Sequence, residues 1–287
     1  MSVGIVLADR PDRLGSNFFI KIANFIYGKN INAEILYNLS IRFSKSMFTI
    51  PFLKLCKLNE NNKTKYETIH LNKGIRGTPA HTVIKIKQDL ISYFKENYKD
   101  DFMKIIENIA IERNYRLPWK NSNNIIAIHL RCGDRAMIED YDGSGSANYI
   151  KNLIETNTFN AYNRKTMMSK GRDDQACIDE IKLEKLIKKF NTDHPNKEIH
   201  IVYYGKINDS IQNIIKKYNI VTHSNKDPDY DLWLLINSNI LVLSKSTYSI
   251  VAGYFHKGSQ VYYPLWGTFV SCGLYTKYDK SNWISYI

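Results

Sequence analysis

Apolar and polar positions along the chain alternate between two periods. Short, nearly unbroken apolar runs read as buried strands. Longer stretches with apolar residues three and four apart read as helices, and the two in alternation predict an α/β fold. Residues 4–7 predict a strand. Phe18, Phe19, Ile22, Ala23 and Ile26 then share one helical face, with Gly28 as the stop. Residues 34–37 return as a strand, residues 40–81 are irregular and basic, and residues 89–114 carry helical periodicity through Ile91, Phe94, Tyr98, Phe102, Ile105 and Ile109. Leu117-Pro118 ends that helix, and the polar stretch 120–124 reads as a linker.

The second half is more regular. Strands are predicted at 125–130, 199–204, 220–223, 240–243 and 260–263, and helices at 176–190, 209–218, 230–237 and 246–256. A long polar excursion, 135–174, interrupts the series with Gly143-Ser144-Gly145-Ser146 at its centre; a loop of that length is either a lid or an insert. The pattern as a whole predicts two Rossmann-type, doubly wound halves, 1–120 and 121–287. They would face a central crevice, where ligands of such folds bind.

Composition narrows the classes. With 287 residues, 44% apolar and 24% charged, the chain is long enough for two cored domains and too ordinary for a disordered or fibrous one. Cys56, Cys132, Cys177 and Cys272 form no CxxC pair, which points to reduced thiols rather than to zinc or a disulfide framework. No run of about 20 apolar residues and no signal-like start is present, so a soluble, cytoplasmic protein without stable membrane insertion is expected. The net charge of +12 invites a nucleic-acid partner. Ten Lys and Arg against Glu60 and Glu67 between Arg42 and Lys87 carry much of that excess, however, and no nucleic-acid-binding motif accompanies them. A solvated surface or an anionic small partner explains the charge as well.

Three segments could carry chemistry. Arg13-Leu14-Gly15-Ser16-Asn17 lies between the first strand and its helix, where backbone N–H groups suit an anion; a plain turn capped by Ser16 or Asn17 is the alternative. His129-Leu130-Arg131-Cys132-Gly133-Asp134 ends a buried strand. Alternation puts His129 and Arg131 on one face at its C-terminal end, where Arg can bind phosphate oxygens; Asp134 could equally pair with Arg131 or cap the turn. Asp231 and the run Ser244-Lys245-Ser246-Thr247-Tyr248-Ser249 form the third. There a strand ends in hydroxyls that open a helix, for a diphosphate or for ordinary capping.

Taken together and in this order, the segments resemble the fucosyltransferase superfamily of α-1,2-fucosyltransferases and protein O-fucosyltransferases, with its N-terminal G-R-L-G-N-Q, its H-x-R-x-G-D and its late Ser/Thr-rich turn. Tyr263-Pro264-Leu265-Trp266 is similar to the ending of the α-1,2 group. The chain departs at Ser16-Asn17, which replaces Asn-Gln, at Cys132, where a second Arg is common, and at Tyr248, which replaces Phe.

The resemblance implies a GT-B-like, inverting glycosyltransferase that needs no metal and no cofactor. It would transfer fucose from GDP-fucose to a glycan hydroxyl, with residues 1–120 on the acceptor side and 121–287 holding the nucleotide sugar. Its catalytic residues would be Arg131, stabilising the leaving diphosphate, and Asp134, first among the candidate bases Asp134, Glu139, Asp140 and Asp9. His129 would sit beside the nucleotide and Asp231 against base or ribose. Ser246, Thr247 and Tyr248 would contact the diphosphate, and Gly15 and Asn17 would approach from the other half. Another nucleotide sugar, or a basic protein that binds nucleic acid or an anionic glycan, are the competing readings. No DxD pair stands at a strand end; Asp100-Asp101 and Asp173-Asp174 read as helix-flank charges. Acceptor, linkage and oligomeric state carry no signal.

Overall fold

The run Ile125-Ile126-Ala127-Ile128-His129-Leu130 is the axis of the larger of two compact units. In the computed structural model, which describes residues 3–8, 15, 18, 21, 25, 34–38, 46–47, 50–51, 57–58, 67–69, 97–132, 178–224, 227–264 and 282–286, this run is strand β5, Ile125–Leu130. Five of its six residues are buried, because parallel strands lie on both its edges and helices cover the sheet. The units are built around Met1–Tyr115 and around Arg116–Ser271 with Asp279–Ile287.

In the first unit, β1 (Val3–Ala8), β2 (Glu34–Asn38), β3 (Lys57–Leu58) and β4 (Glu67–Ile69) form a parallel sheet in the order β3-β2-β1-β4. The chain runs outward from β1 through β2 to β3, then returns to the far side of β1 for β4. β3 and β4 fall in the stretch expected to be irregular; pairings of two and three residues are too short to show alternation. Gly15, Phe18, Lys21 and Phe25 are buried helical residues, so helix already includes Gly15, the expected Phe18 is buried, and Lys21 and Phe25 are buried beside it. Phe19, Ile22, Ala23 and Ile26 lie outside the described residues. Helix α1 (Lys99–Glu112) buries Phe102, Ile106, Ile109 and Ala110, and the ring of Tyr98 at its start meets Phe25 edge-on at 5.1 Å.

The second unit holds six parallel strands in the order β10-β9-β8-β5-β6-β7, with β6 Glu198–Tyr203, β7 Val221–Ser224, β8 Ile240–Val242, β9 Gln260–Tyr263 and β10 Trp283–Ser285. The chain winds outward from β5 to β7, returns to the other side of β5 at β8, and winds outward again. That is the doubly wound order of a Rossmann-like fold, and its reversal point lies between β5 and β8. β10 was not expected, since three residues behind a polar Lys280-Ser281-Asn282 give no period to detect.

Among the described residues four helices connect these strands: α2 (Glu180–Asp193), α3 (Asp209–Lys217), α4 (Pro228–Ile236) and α5 (Thr247–Phe255). Each starts on an oxygen-bearing N-cap. Asp179, Asn208, Asp227 and Ser246 accept from the backbone N–H of Lys182, Ile211, Asp229 and Tyr248. Asp179 explains why α2 begins later than the apolar pattern from residue 176 predicts. Pro228 at the first turn of α4 has no N–H to leave unsatisfied. Ile126, Ile128 and Leu130 pack with Leu183, Leu186, Ile187 and Phe190 of α2 and Ile211 and Ile214 of α3, so the even positions of β5 face those helices. Ala127 and His129 therefore face the opposite side, where α4 packs on β5 and β6 and against α5. Among the described residues no helix is long and apolar enough to cross a membrane. The excursion 135–174 lies outside them.

Candidate functional site

Parallel pairing brings the ends of β5 and β8 side by side, with Ile128 opposite Val242 in register. One residue further along β5 is His129, and two residues beyond Val242 is Ser244. His129 Nδ1 and Ser244 Oγ are 2.7 Å apart. Two residues further still, Arg131 Nη1 donates to Ser246 Oγ over 3.2 Å. Residues 115 apart in sequence are thus joined twice across the reversal point of the sheet.

The turn after β8 owes its shape to its small hydroxyl residues. Ser246 N–H closes onto the Ser244 carbonyl at 2.7 Å, and the extended backbone of Ser246 (φ −142°, ψ 132°) leaves its side chain free to cap Tyr248 N–H at 3.3 Å. Ile250 N–H makes the first intrahelical bond of α5, to the Ser246 carbonyl at 3.1 Å. The N–H groups of Thr247 and Ser249 precede it in the first turn, at the positive end of the helix dipole. The N-terminus of α5 and the Arg131 guanidinium therefore offer positive potential at one place, a setting for a negatively charged group.

Ser249, one turn into α5 and fully buried, donates to the carbonyls of Ser244 (3.0 Å) and Ser246 (2.9 Å) and lies 3.4 Å from Ser244 Oγ. The Tyr248 ring lies 5.3 Å from the His129 ring, and its hydroxyl donates to the Pro228 carbonyl at 2.6 Å, tying α5 to the start of α4. Burial, then the carboxylates of Asp231, Asp229 and Asp227, push the Tyr248 phenol well above its usual range. Asp231 is buried in the first turn of α4, and its carboxylate acts on the Tyr248 phenol through its charge. Burial together with the Arg131 charge lowers His129 to about 3, so its imidazole is neutral at ordinary pH.

The structure thus brings together His129, Arg131, Ser246, Thr247 and Tyr248, and the charge of Asp231 bears on Tyr248. Gly15 is a buried helical residue of the first unit. Asn17 and Asp134 lie outside the described residues, as do the other candidate bases Glu139, Asp140 and Asp9. Ser244 and Ser249 belong to the third candidate segment, but sequence gives neither of them a role. Their signal is present in hindsight: a serine inside the apolar helix Ile250-Val251-Ala252 needs a partner, and three residues back is the capping Ser246. Among the described residues no group of three or more His, Cys, Asp or Glu could hold a metal ion.

No family model and no curated protein matches the sequence. Among solved structures, the chain is similar to the fucosyltransferase NodZ from Bradyrhizobium, at 7% identity and a TM-score of 0.45, over 91% of this chain and 94% of that one. It is also similar to a NodZ alpha-1,6-fucosyltransferase soaked with GDP-fucose, at 9% identity and a TM-score of 0.42, over 91% and 94% of the two chains. Both TM-scores lie below 0.5, too low to carry a fold assignment.

Proposed function

We propose that the chain is an inverting glycosyltransferase that takes a nucleotide diphosphate sugar, GDP-fucose in the first instance, and passes the sugar to a glycan hydroxyl without a metal ion. The observation that supports it most is the meeting of Arg131 with the Ser246-capped end of α5 at the reversal point of the second sheet. The ordered motifs around Gly15, His129 and Ser246 favour a fucosyltransferase among enzymes of this kind.

In this reading the acceptor oxygen attacks the anomeric carbon as the bond to the β-phosphate oxygen breaks. The leaving diphosphate gains negative charge, which Arg131 and the positive N-terminal end of α5 stabilise; one preorganised donor is typically worth about 3–4 kcal/mol in the transition state. The Ser246 and Thr247 hydroxyls, with Tyr248, hold the diphosphate, and Asp231 serves the base or ribose. A carboxylate, Asp134 first, takes the acceptor proton.

Thermal shifts with GDP, UDP and GMP test the donor site. A ligand at 100 times its Kd stabilises the fold by about 2.7 kcal/mol, so GDP is expected to raise Tm clearly and GMP less. A donor screen by nucleotide release then identifies the sugar. Absence of any shift with all three, together with salt-sensitive retention on DNA, would sink the transferase.

A further inference from the structure

We infer that Ser249 and Ser244 are positioning residues that lock His129 as the Nδ1–H tautomer and leave its Nε2 a bare hydrogen-bond acceptor at the donor site. The inference rests on the proposed function only for what Nε2 meets; the tautomer itself follows from the protein alone. A carbonyl oxygen can only accept, and a serine hydroxyl has one proton to give. Ser249 Oγ lies 2.9 Å from the Ser246 carbonyl and 3.0 Å from that of Ser244, so its proton goes to them. Were that proton turned to Ser244 instead, Ser249 Oγ would face two carbonyl lone pairs across hydrogen-bond distances with nothing between.

With its proton committed, Ser249 Oγ can only accept from Ser244, 3.4 Å away. Of the two orientations open to Ser244, donation to Ser249 Oγ leaves no two acceptors facing each other along the relay, and Ser244 Oγ then accepts from His129 Nδ1 at 2.7 Å. The polarity of the whole chain is thus set by two backbone carbonyls in the turn that opens α5. A neutral imidazole with a proton on Nδ1 has none on Nε2, and among the described residues no group donates to Nε2. Burial and Arg131 agree with this by holding the ring neutral.

The consequence is a division of labour between two side chains two residues apart on one strand face. Arg131 can only donate and suits phosphate oxygens. A bare Nε2 repels them and suits a donor on the same ligand, a sugar or ribose hydroxyl or a base N–H. The relay keeps the second role from reverting to the first.

Proton–nitrogen NMR of the imidazoles tests this on the full chain labelled at histidine, with His129→Asn to assign the His129 signals among the seven histidines. The wild-type protein is expected to show the Nδ1–H tautomer at His129; an Nε2–H tautomer there would overturn the inference. In Ser249→Ala, Ser244 loses its acceptor and turns its proton to Nδ1, so His129 should switch to Nε2–H, and Ser249→Thr should restore the original form. An unchanged tautomer in Ser249→Ala removes Ser249 from the role. Titration with GDP is read separately. A roughly 3- to 10-fold weakening in Ser249→Ala is expected, the scale of one neutral hydrogen bond, with recovery in Ser249→Thr. If wild type does not bind GDP while the tautomers behave as stated, the donor-site reading fails and the relay stands.

Discussion

His129 and His200 stand on adjacent strands and face the same side of the same sheet, yet their surroundings differ in kind. His200 pairs in register with Ala127, two residues deeper along β5 than His129. There it is 3% exposed, its Nδ1 lies 2.9 Å from Nε2 of His223, and Trp119 closes over both rings edge-on at 5.1 and 6.3 Å. His223 is level with His129, both being opposite Val202, but it lies two strands away from β5. Depth along the strand and distance from the reversal point separate the two fates. A histidine sealed by its neighbours holds a core together, whereas one at the strand end beside β8 meets Arg131 and a helix start. Residue type alone does not distinguish them; address in the sheet does.

The sharpest way to break this comparison is to open the sealed flank. Trp119→Ala removes a side chain that is 9% exposed and donates to Ser122 Oγ at 3.1 Å, and a loss of about 3–5 kcal/mol in urea unfolding is expected. The folded protein should still bind GDP with unchanged affinity in titration calorimetry. If affinity collapses along with stability, the flank is part of the site after all. Arg131→Ala is the converse. Turnover should fall on the order of 10²–10³-fold while Tm stays within a few degrees, because Ser246 keeps its capping bond to Tyr248. Near-normal nucleotide release in that variant would remove Arg131 from the chemistry.

Sequence shows one side of this comparison better than the other. β5 and β9 stand where the apolar runs predict them, and each N-cap of the second unit is a residue type that announces itself. Arg131 and Ser246 were legible because strand ends and helix starts are fixed by local chemistry. Their bond was not, since only the strand order places residues 115 apart side by side. Trp119 falls between the helix end at Leu117-Pro118 and the linker 120–124 and carries no signal of its own there; its burial follows from packing against His200 and His223 on two strands that sequence cannot bring together. Short strands β3, β4 and β10 escaped for a related reason: they exist through their partners, not through their own periods.

Acid should weaken both regions by the same sign and over different spans. Burial, with Arg131 in the case of His129, depresses both histidines below their unfolded value of 6.5. Below that pH the unfolded chain takes up the proton and the folded one does not, so stability is full above 6.5 and falls as pH drops. Each histidine contributes a slope of about 1.4 kcal/mol per pH unit while this holds. For His129 the span reaches down to about 3. Denaturation midpoints from pH 7 to 4 should therefore show a shallower decline in His129→Asn than in wild type. Equal slopes would mean that His129 titrates in the folded protein as it does in the unfolded chain.

The smallest expected effect separates architecture from site most cleanly, because two residues of similar structural worth are set against each other. Ser246 caps α5 and Asn208 caps α3 through an Ile211 N–H bond of 2.8 Å. Replacing either by Ala should lower stability by roughly 1 kcal/mol, the usual loss for an N-cap. Only Ser246 also receives Arg131, so only Ser246→Ala should weaken GDP binding, by a few-fold in the same titration. Were Asn208→Ala to weaken it equally, helix capping in general, transmitted through the sheet, would account for the effect. The bond across the β5–β8 reversal would then hold no privileged place in the donor site.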